Sequence, residues 1–328
     1  MDFSKRIGTL KKEAVFELNG YYVWCGTMTR GDDGLYYLYF SFWEKKLGFN
    51  AWVTHSKVGF AVGKDPFGKL EYGGIALDGR GHGYWDGDCI HNPSVIKVDG
   101  KYYMYYMGNY GNGEYWVHRN HQRIGVAVAT DPRGPWERFD APVIDISPTG
   151  HDSLLTSNPS VTVTDEGKFV MIYKAVENNG KLPRGGAVVC GIDIADSPTG
   201  PFTKLEKPIM VNPENEWSVE DAFIWFENGQ FYSLAKDFHG YFTGAGQRHV
   251  ALFESVNGYD WKLSDTPIGN LRGVTFEDGE RLDLHYMERP QIYAEDGKPF
   301  ALLCACMLES DYEELSRSFN IRLPLDEK

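Results

Sequence analysis

Two acidic residues suggest joint chemistry. Asp221 lies in Glu220-Asp221-Ala222-Phe223-Ile224-Trp225 and Glu288 in Glu288-Arg289-Pro290-Gln291, each at nearly the same place at the head of an apolar run. Cleaving a glycosidic bond needs one protonated acid at the leaving oxygen and one ionised carboxylate as base or nucleophile. Two carboxyls that meet have their ionisations pushed apart, which suits them to those separate tasks. The alternative is that each carboxylate braces a loop. Three further residue pairs occupy matching positions: Cys25-Gly26, His91-Asn92 and Ser157-Asn158. A polar or small pair at the start of an apolar strand can satisfy a neighbouring loop, but five in register point to a common pocket.

The elements that must position these pairs form a repeat. Asn92 to Gly100, Asp221 to Gly229, Arg289 to Gly297 and Gly26 to Gly34 are each eight residues apart, and Asn158 to Gly167 is nine. Each unit reads as a polar pair, a short strand, a glycine turn and a returning aromatic strand, such as 102–107. An outer turn keeps step with this hairpin: Asp65 to Asp131 and Asp131 to Ser197 are both 66 residues. In the fourth unit Asn257-Gly258, itself a hairpin signal, takes that place. Third strands are expected at 58–62 and 124–129, and a fourth near Val143-Ile144.

Four antiparallel strands repeated five times predict an all-β fold, a five-bladed β-propeller with four-stranded blades, as a single domain over residues 1–328. The competing fold is a pair of β-sandwiches. The last unit stops after its third strand near Ser318, so the strand at 15–18 is expected to complete that blade and close the ring. The one helix expected is short, at 312–315.

Composition narrows the partners. A formal charge of −13 argues against nucleic-acid backbones and anionic membranes, which call for a basic face. No 18-residue apolar run exists for a membrane helix. Met1-Asp2-Phe3-Ser4-Lys5 lacks the apolar stretch of a signal peptide, which leans towards the cytoplasm, or to the periplasm or exterior where a signal has been removed. The five cysteines contain no Cys-x-x-Cys and read as free buried thiols, with Cys304 and Cys306 on one strand face. No cofactor is required. A channel cation has room in a propeller, although His91, His239 and His285 show no ligand spacing.

His91-Asn92-Pro93, Glu220-Asp221-x-Phe223-Ile224-Trp225 and Glu288-Arg289-Pro290-Gln291 resemble segments of the five-bladed propeller glycosidases, chiefly glycoside hydrolase families 43 and 117 and uncharacterised relatives. The resemblance covers essentially the whole chain. It implies hydrolysis of a small oligosaccharide with inversion, Glu288 as acid, Asp221 as orienting carboxylate and His285 as an aid to proton transfer. The family's base would fall at Gly26 beside Cys25, and neither is a carboxylate. Three explanations stay open: a loop carboxylate, Asp86 or Asp88, replaces it; the reaction is a non-hydrolytic sugar transformation; or the propeller binds sugar without cleaving it.

Further residues suit a sugar pocket. Trp24, Trp43, Trp52, Trp85, Trp116 and Trp225 could stack on sugar faces, and Trp85, in a loop between Tyr84 and Asp86, is the one chosen. Arg119 and His121, in a loop dense in donors, could hold an acidic sugar. Lys174, Lys236 and His239 end second strands that approach the mouth. The expected substrate contacts are therefore His91, Asn92, Asn158, Trp85, Lys174, Glu220, Lys236, His239, Arg289, Arg119 and His121. The sugar, the linkage and the oligomeric state are not legible.

Overall fold

Alternation along the strands builds the architecture. In the computed structural model, which describes residues 3–246, 249–265, 268, 273–308 and 317–326, the second strand of the first blade sends Tyr37 and Tyr39 to one side. Leu38 and Phe40 go to the other. Met171 and Tyr173 part in the same way from Val170 and Ile172. Neighbouring strand residues face opposite ways, so a sheet with apolar residues on both faces must be sandwiched between two others. The main apolar clusters accordingly lie between successive blades, and one joins blade five to blade one.

Five four-stranded antiparallel sheets result, a five-bladed β-propeller. The inner strands are Tyr21–Arg30, Cys89–Val98, Leu155–Val163, Val219–Glu227 and Tyr286–Glu295, and they touch one another in cyclic order around the axis. The fifth blade takes its outer strand from the other end of the chain. Val15–Phe16 pairs with Ser318–Pro324, Val15 opposite Ile321. Phe3, Leu10 and Ala14 enter the cluster between blades four and five. A small hairpin, Gly273–Thr275 with Arg281–Asp283, stands outside the blades.

Two details differ from the sequence expectation. The fourth strand of blade two is Glu137–Arg138, and Ile144 makes only an isolated bridge to Ile124. Outer strands of blades two to four are two residues long. The helix expected at 312–315 lies outside the described residues. All five cysteines are free and buried, and Cys304 and Cys306 share one apolar cluster. Among the described residues no helix is long and apolar enough to cross a membrane.

Candidate active site

The site begins with a backbone irregularity repeated five times. Pairing between inner and second strands breaks after Trp24, His91, Ser157, Glu220 and Glu288, and resumes three residues later in each blade. The residue that follows each break is left-handed: Cys25, Asn92, Asn158, Asp221 and Arg289 have φ between 53° and 59°. A non-glycine residue there costs about 1–2 kcal/mol, so five equivalent bulges are a built feature. They bring five side chains together in a ring around the axis. The Cys25 thiol donates to Asn92 Oδ1 at 2.8 Å, Asn92 Nδ2 to Asn158 Oδ1 at 2.5 Å, and Asn158 Nδ2 to Asp221 Oδ1 at 2.8 Å. Arg289 Nη1 donates to the same Asp221 oxygen at 3.2 Å, and its guanidinium lies against Cys25 to close the ring.

This ring corrects the register of blade one. The counterpart of Asn92 and Asp221 is Cys25, nine residues before Gly34, so the first hairpin has the longer turn also found after Asn158. Gly26 donates its backbone N–H to Asn320 Oδ1, and a Cβ there would sit 2.9 Å from Asn320 Cγ. No side chain fits at 26, a carboxylate included.

Above the ring opens a cavity of about 160 Å³. Trp24, Trp43, Phe49 and Trp52 wall one side, and Lys174, Glu220, Lys236 and Glu288 the other, with His91, Asn92, Asn158, Asp221 and Arg289 also reaching it. Register explains the lysines: Lys174 lies opposite Ser157, and Lys236 opposite Glu220. Lys236 Nζ is 2.9 Å from Glu220 Oε2 and 3.2 Å from both Asp221 Oδ2 and Glu288 Oε2. Lys174 Nζ takes the other Glu220 oxygen at 2.5 Å.

Three carboxylates thus face three cations. Burial pushes the Glu220 carboxyl up, but Lys174 and Lys236 outweigh it and hold the group well below the usual carboxylate range. Burial disfavours the Lys236 ammonium, yet Asp221, Glu220 and Glu288 carry it well above an ordinary lysine. The two carboxyls expected to act as a pair are bridged by one ammonium, that of Lys236.

His91 faces the cavity as a neutral ring: burial, with the Arg289 charge added, holds it well below an ordinary histidine. Its Nδ1 is 2.7 Å from Ser56 Oγ and its Nε2 is 3.7 Å from Cys25 Sγ, while its ring lies 5.1 Å from that of Trp52. Burial pushes the Cys25 thiol up to about 12, so it stays protonated.

Seven expected residues lie elsewhere. Asp86 is 0% exposed and accepts from Arg80 Nε at 2.6 Å, Tyr106 Oη at 2.8 Å and Arg138 Nη1 at 3.4 Å. It pins a loop and cannot activate water. Asp88 accepts from the Gly111 N–H and lines a separate cavity with Trp85, whose ring stacks on Tyr106. Arg119 donates to Arg184 O, and His121 stacks on Tyr110. His239 is exposed in a loop, and His285 is exposed with its ring against Tyr286. Of the other tryptophans, Trp225 is buried between blades four and five, and Trp116 is in a surface helix, Tyr115–Asn120. Among the described residues no group of three or more His, Cys, Asp or Glu is placed to hold a metal ion.

Comparison with known proteins adds the fold's relatives. No protein-family model and no curated protein matches the chain. Solved structures do. A family 117 glycoside hydrolase of the marine bacterium Zobellia galactanivorans superposes with a TM-score of 0.68 at 20% identity, over 98% of this chain and 89% of that one. A thermostable family-43 glycoside hydrolase gives 0.63 at 15%, over 94% and 91%. An endo-arabinase of Bacteroides thetaiotaomicron gives 0.60 at 12%, over 98% of both chains. Over essentially its whole length the chain therefore has the five-bladed propeller fold of these glycoside hydrolases.

Proposed function

We propose that the protein is a glycoside hydrolase that holds one terminal residue of a small oligosaccharide in the axial pocket. The observation that carries this is the convergence of Glu220, Asp221 and Glu288 on Lys236, facing a tryptophan wall at the propeller axis. At about 160 Å³ the cavity falls below the roughly 300–1,000 Å³ of most ligand sites, so a single sugar ring suits it. The C–H face of the ring packs on tryptophan, and its hydroxyls reach the carboxylates, lysines and asparagines opposite.

Glu288 is the acid, taking up a proton when the sugar enters and donating it to the leaving oxygen, and Asp221, held by Asn158, Lys236 and Arg289, orients the sugar. Glu220 and Glu288 each have an oxygen near one nitrogen, 2.9 and 3.2 Å away, so those oxygens are at most about 6 Å apart. That is closer than the roughly 6.5–9.5 Å an inverting pair leaves for water. Inversion then calls for a base across the pocket; His91 stands there in blade two, but the burial and the Arg289 charge that hold it neutral also oppose its taking a proton. A second reading, sugar binding without turnover, is favoured by the protonated Cys25 thiol in place of a blade-one carboxylate.

The test is a panel of aryl glycosides and oligosaccharides, followed by reducing-end release and by NMR of the first anomer formed. Wild type should hydrolyse at least one member, and Glu288→Gln should bind it without turning it over. Binding without turnover by wild type selects the second reading. An unsaturated product would show elimination instead.

A further inference from the structure

Arg119 carries a buried charge that no carboxylate pairs with among the described residues. It stands in the last turn of the short helix Tyr115–Asn120 and is 6% exposed. Its Nη1 donates to Asn120 Oδ1 at 2.9 Å and to Arg184 O at 2.8 Å, while Nε and Nη2 have no acceptor among the described residues. Arg322 is also buried without an ion pair there, but two of its nitrogens reach the carbonyls of Ala14, Glu13 and Gly68 and brace the chain ends. Arg119 commits one nitrogen to such bonds and leaves the rest of its fork unused.

The surroundings sharpen the imbalance. Burial holds the Arg119 guanidinium below an ordinary arginine, Tyr115 and Glu220 offset this in part, and the charge of Arg184 adds to it. Glu220 is already committed, since its two oxygens are taken by Lys174 and Lys236. Arg184 is exposed and makes no ion pair among the described residues. Glu114 and Glu177, the acidic residues of the loops 110–122 and 177–187 that carry the two arginines, pair with neither. A charge taken out of water ordinarily gains a partner in exchange. Here the partner is not supplied by the chain.

The place is the rim of the axial pocket. Both loops follow second strands, Lys101–Asn109 and Phe169–Val176, and Lys174 of the latter lines the pocket. The three carboxylates and three cations of that pocket balance, so Arg119 and Arg184 make this side positive in a chain whose formal charge is −13. Trp116, 39% exposed, lies against Arg119 with its ring centre 5.6 Å from the guanidinium.

We infer that Arg119 and Arg184 form an oxyanion site at this rim, and that the sugar the protein takes is acidic, carrying a carboxylate or a sulfate ester. Either group offers paired oxygens to a guanidinium fork. The sugar half of the inference rests on the proposed hydrolase reading; the anion site does not.

The test is calorimetry on the full chain, at fixed ionic strength, with galactose, galacturonate and galactose 6-sulfate, the matching glucose set, and inorganic sulfate. These monosaccharides hold no bond for a glycosidase to cut. One acidic sugar should bind at least tenfold tighter than its neutral parent. Arg119→Gln should remove that preference and leave the neutral parent's affinity where it was, whereas loss of a merely structural arginine would lower both alike. Arg184→Gln, a change at an exposed residue, should reduce the preference at least threefold. A preference confined to the uronates names the carboxylate, and one confined to the sulfated sugars names the sulfate ester. No preference for any acidic sugar, a preference that survives Arg119→Gln, or an equal loss for acidic and neutral sugars overturns the inference. So does Arg119-dependent binding of inorganic sulfate alone. Turnover in the aryl-glycoside panel scores the hydrolase reading separately. Turnover of neutral members without an acidic preference leaves that reading standing and removes the anion site. An acidic preference in a chain that turns over nothing does the reverse.

Discussion

Lys236→Met removes the ammonium shared by Glu220, Asp221 and Glu288 and leaves a side chain of similar reach. Three carboxylates then face two cations, Lys174 and Arg289, in a site where Lys236 was only 5% exposed. An uncompensated buried charge costs about 3–5 kcal/mol. The alternative is for one carboxyl to keep a proton. For a group that ordinarily titrates near 4.3 this costs about 5 kcal/mol at pH 8 and about 1 kcal/mol at pH 5, at about 1.4 kcal/mol per pH unit. The variant should therefore lose about 3–5 kcal/mol at pH 8 but only about 1 kcal/mol at pH 5. The sign follows from linkage: a carboxyl raised in the folded variant binds a proton that the unfolded chain does not, so the deficit grows as pH rises. With 328 residues at about 2.1 cal/mol/K each, the unfolding entropy is near 0.7 kcal/mol/K, so Tm should fall by roughly 4–7 °C at pH 8 and by 1–2 °C at pH 5. Thermal unfolding followed by circular dichroism at both pH values reads this directly. An equal deficit at the two pH values, or none at pH 8, would refute the shared-charge account.

Asp193 offers a second pH test. Burial, with Asp152 nearby, pushes its carboxyl up to about 7, while Tyr173 donates to Oδ1 at 3.1 Å. The native state thus holds a proton that the unfolded chain loses above about 4, and stability falls as pH rises from about 4 to 7. Asp193→Asn keeps the acceptor for Tyr173 and should gain up to about 4 kcal/mol relative to wild type across that window; a difference in urea midpoints independent of pH would contradict it. Deleting residues 1–18 should lower Tm by more than 5 °C, because Phe3, Leu10, Ala14 and Phe16 are buried and Arg322 donates to Ala14 O and Glu13 O. An unchanged Tm would show that the ring closes without that strand. Trp52→Ala should weaken binding of any sugar found for the axial pocket at least tenfold without lowering Tm, and equal affinity would remove the tryptophan wall from the site.

The repeat was legible because glycine turns and polar pairs recur at fixed spacing, and that spacing alone implies five similar hairpins. It misled in blade one. Gly26 to Gly34 matches the eight-residue interval, but the bulge residue is Cys25, since the turn there is one residue longer. Left-handed backbone is readable where Asn92, Asn158 and Asp221 stand, residues that tolerate it, and unreadable at Cys25 and Arg289. Asp86 and Trp85 look like site residues in a glycine-rich loop; only the approach of Arg80, Arg138 and Tyr106 shows that they hold the loop itself. Lys236 ranked beside His239 at a strand end, and its contact with three carboxylates from two blades needs the closed ring to be seen.

Closure by Val15–Phe16 also has a consequence for the order of events at the ribosome. Val15 leaves the exit tunnel long before its partner Ile321 is made, and Arg322, which ties Glu13, Ala14 and Gly68 together, comes later still. At about 5–20 residues per second the interval is roughly 15–60 s. Throughout it, the strand Val15–Phe16 has no blade-five partner to pair with, while blades one to four can already pair locally. Folding of this propeller is thus held open at one seam until the third strand of blade five has been made. A chaperone that captures short apolar segments would find its longest-lived target there.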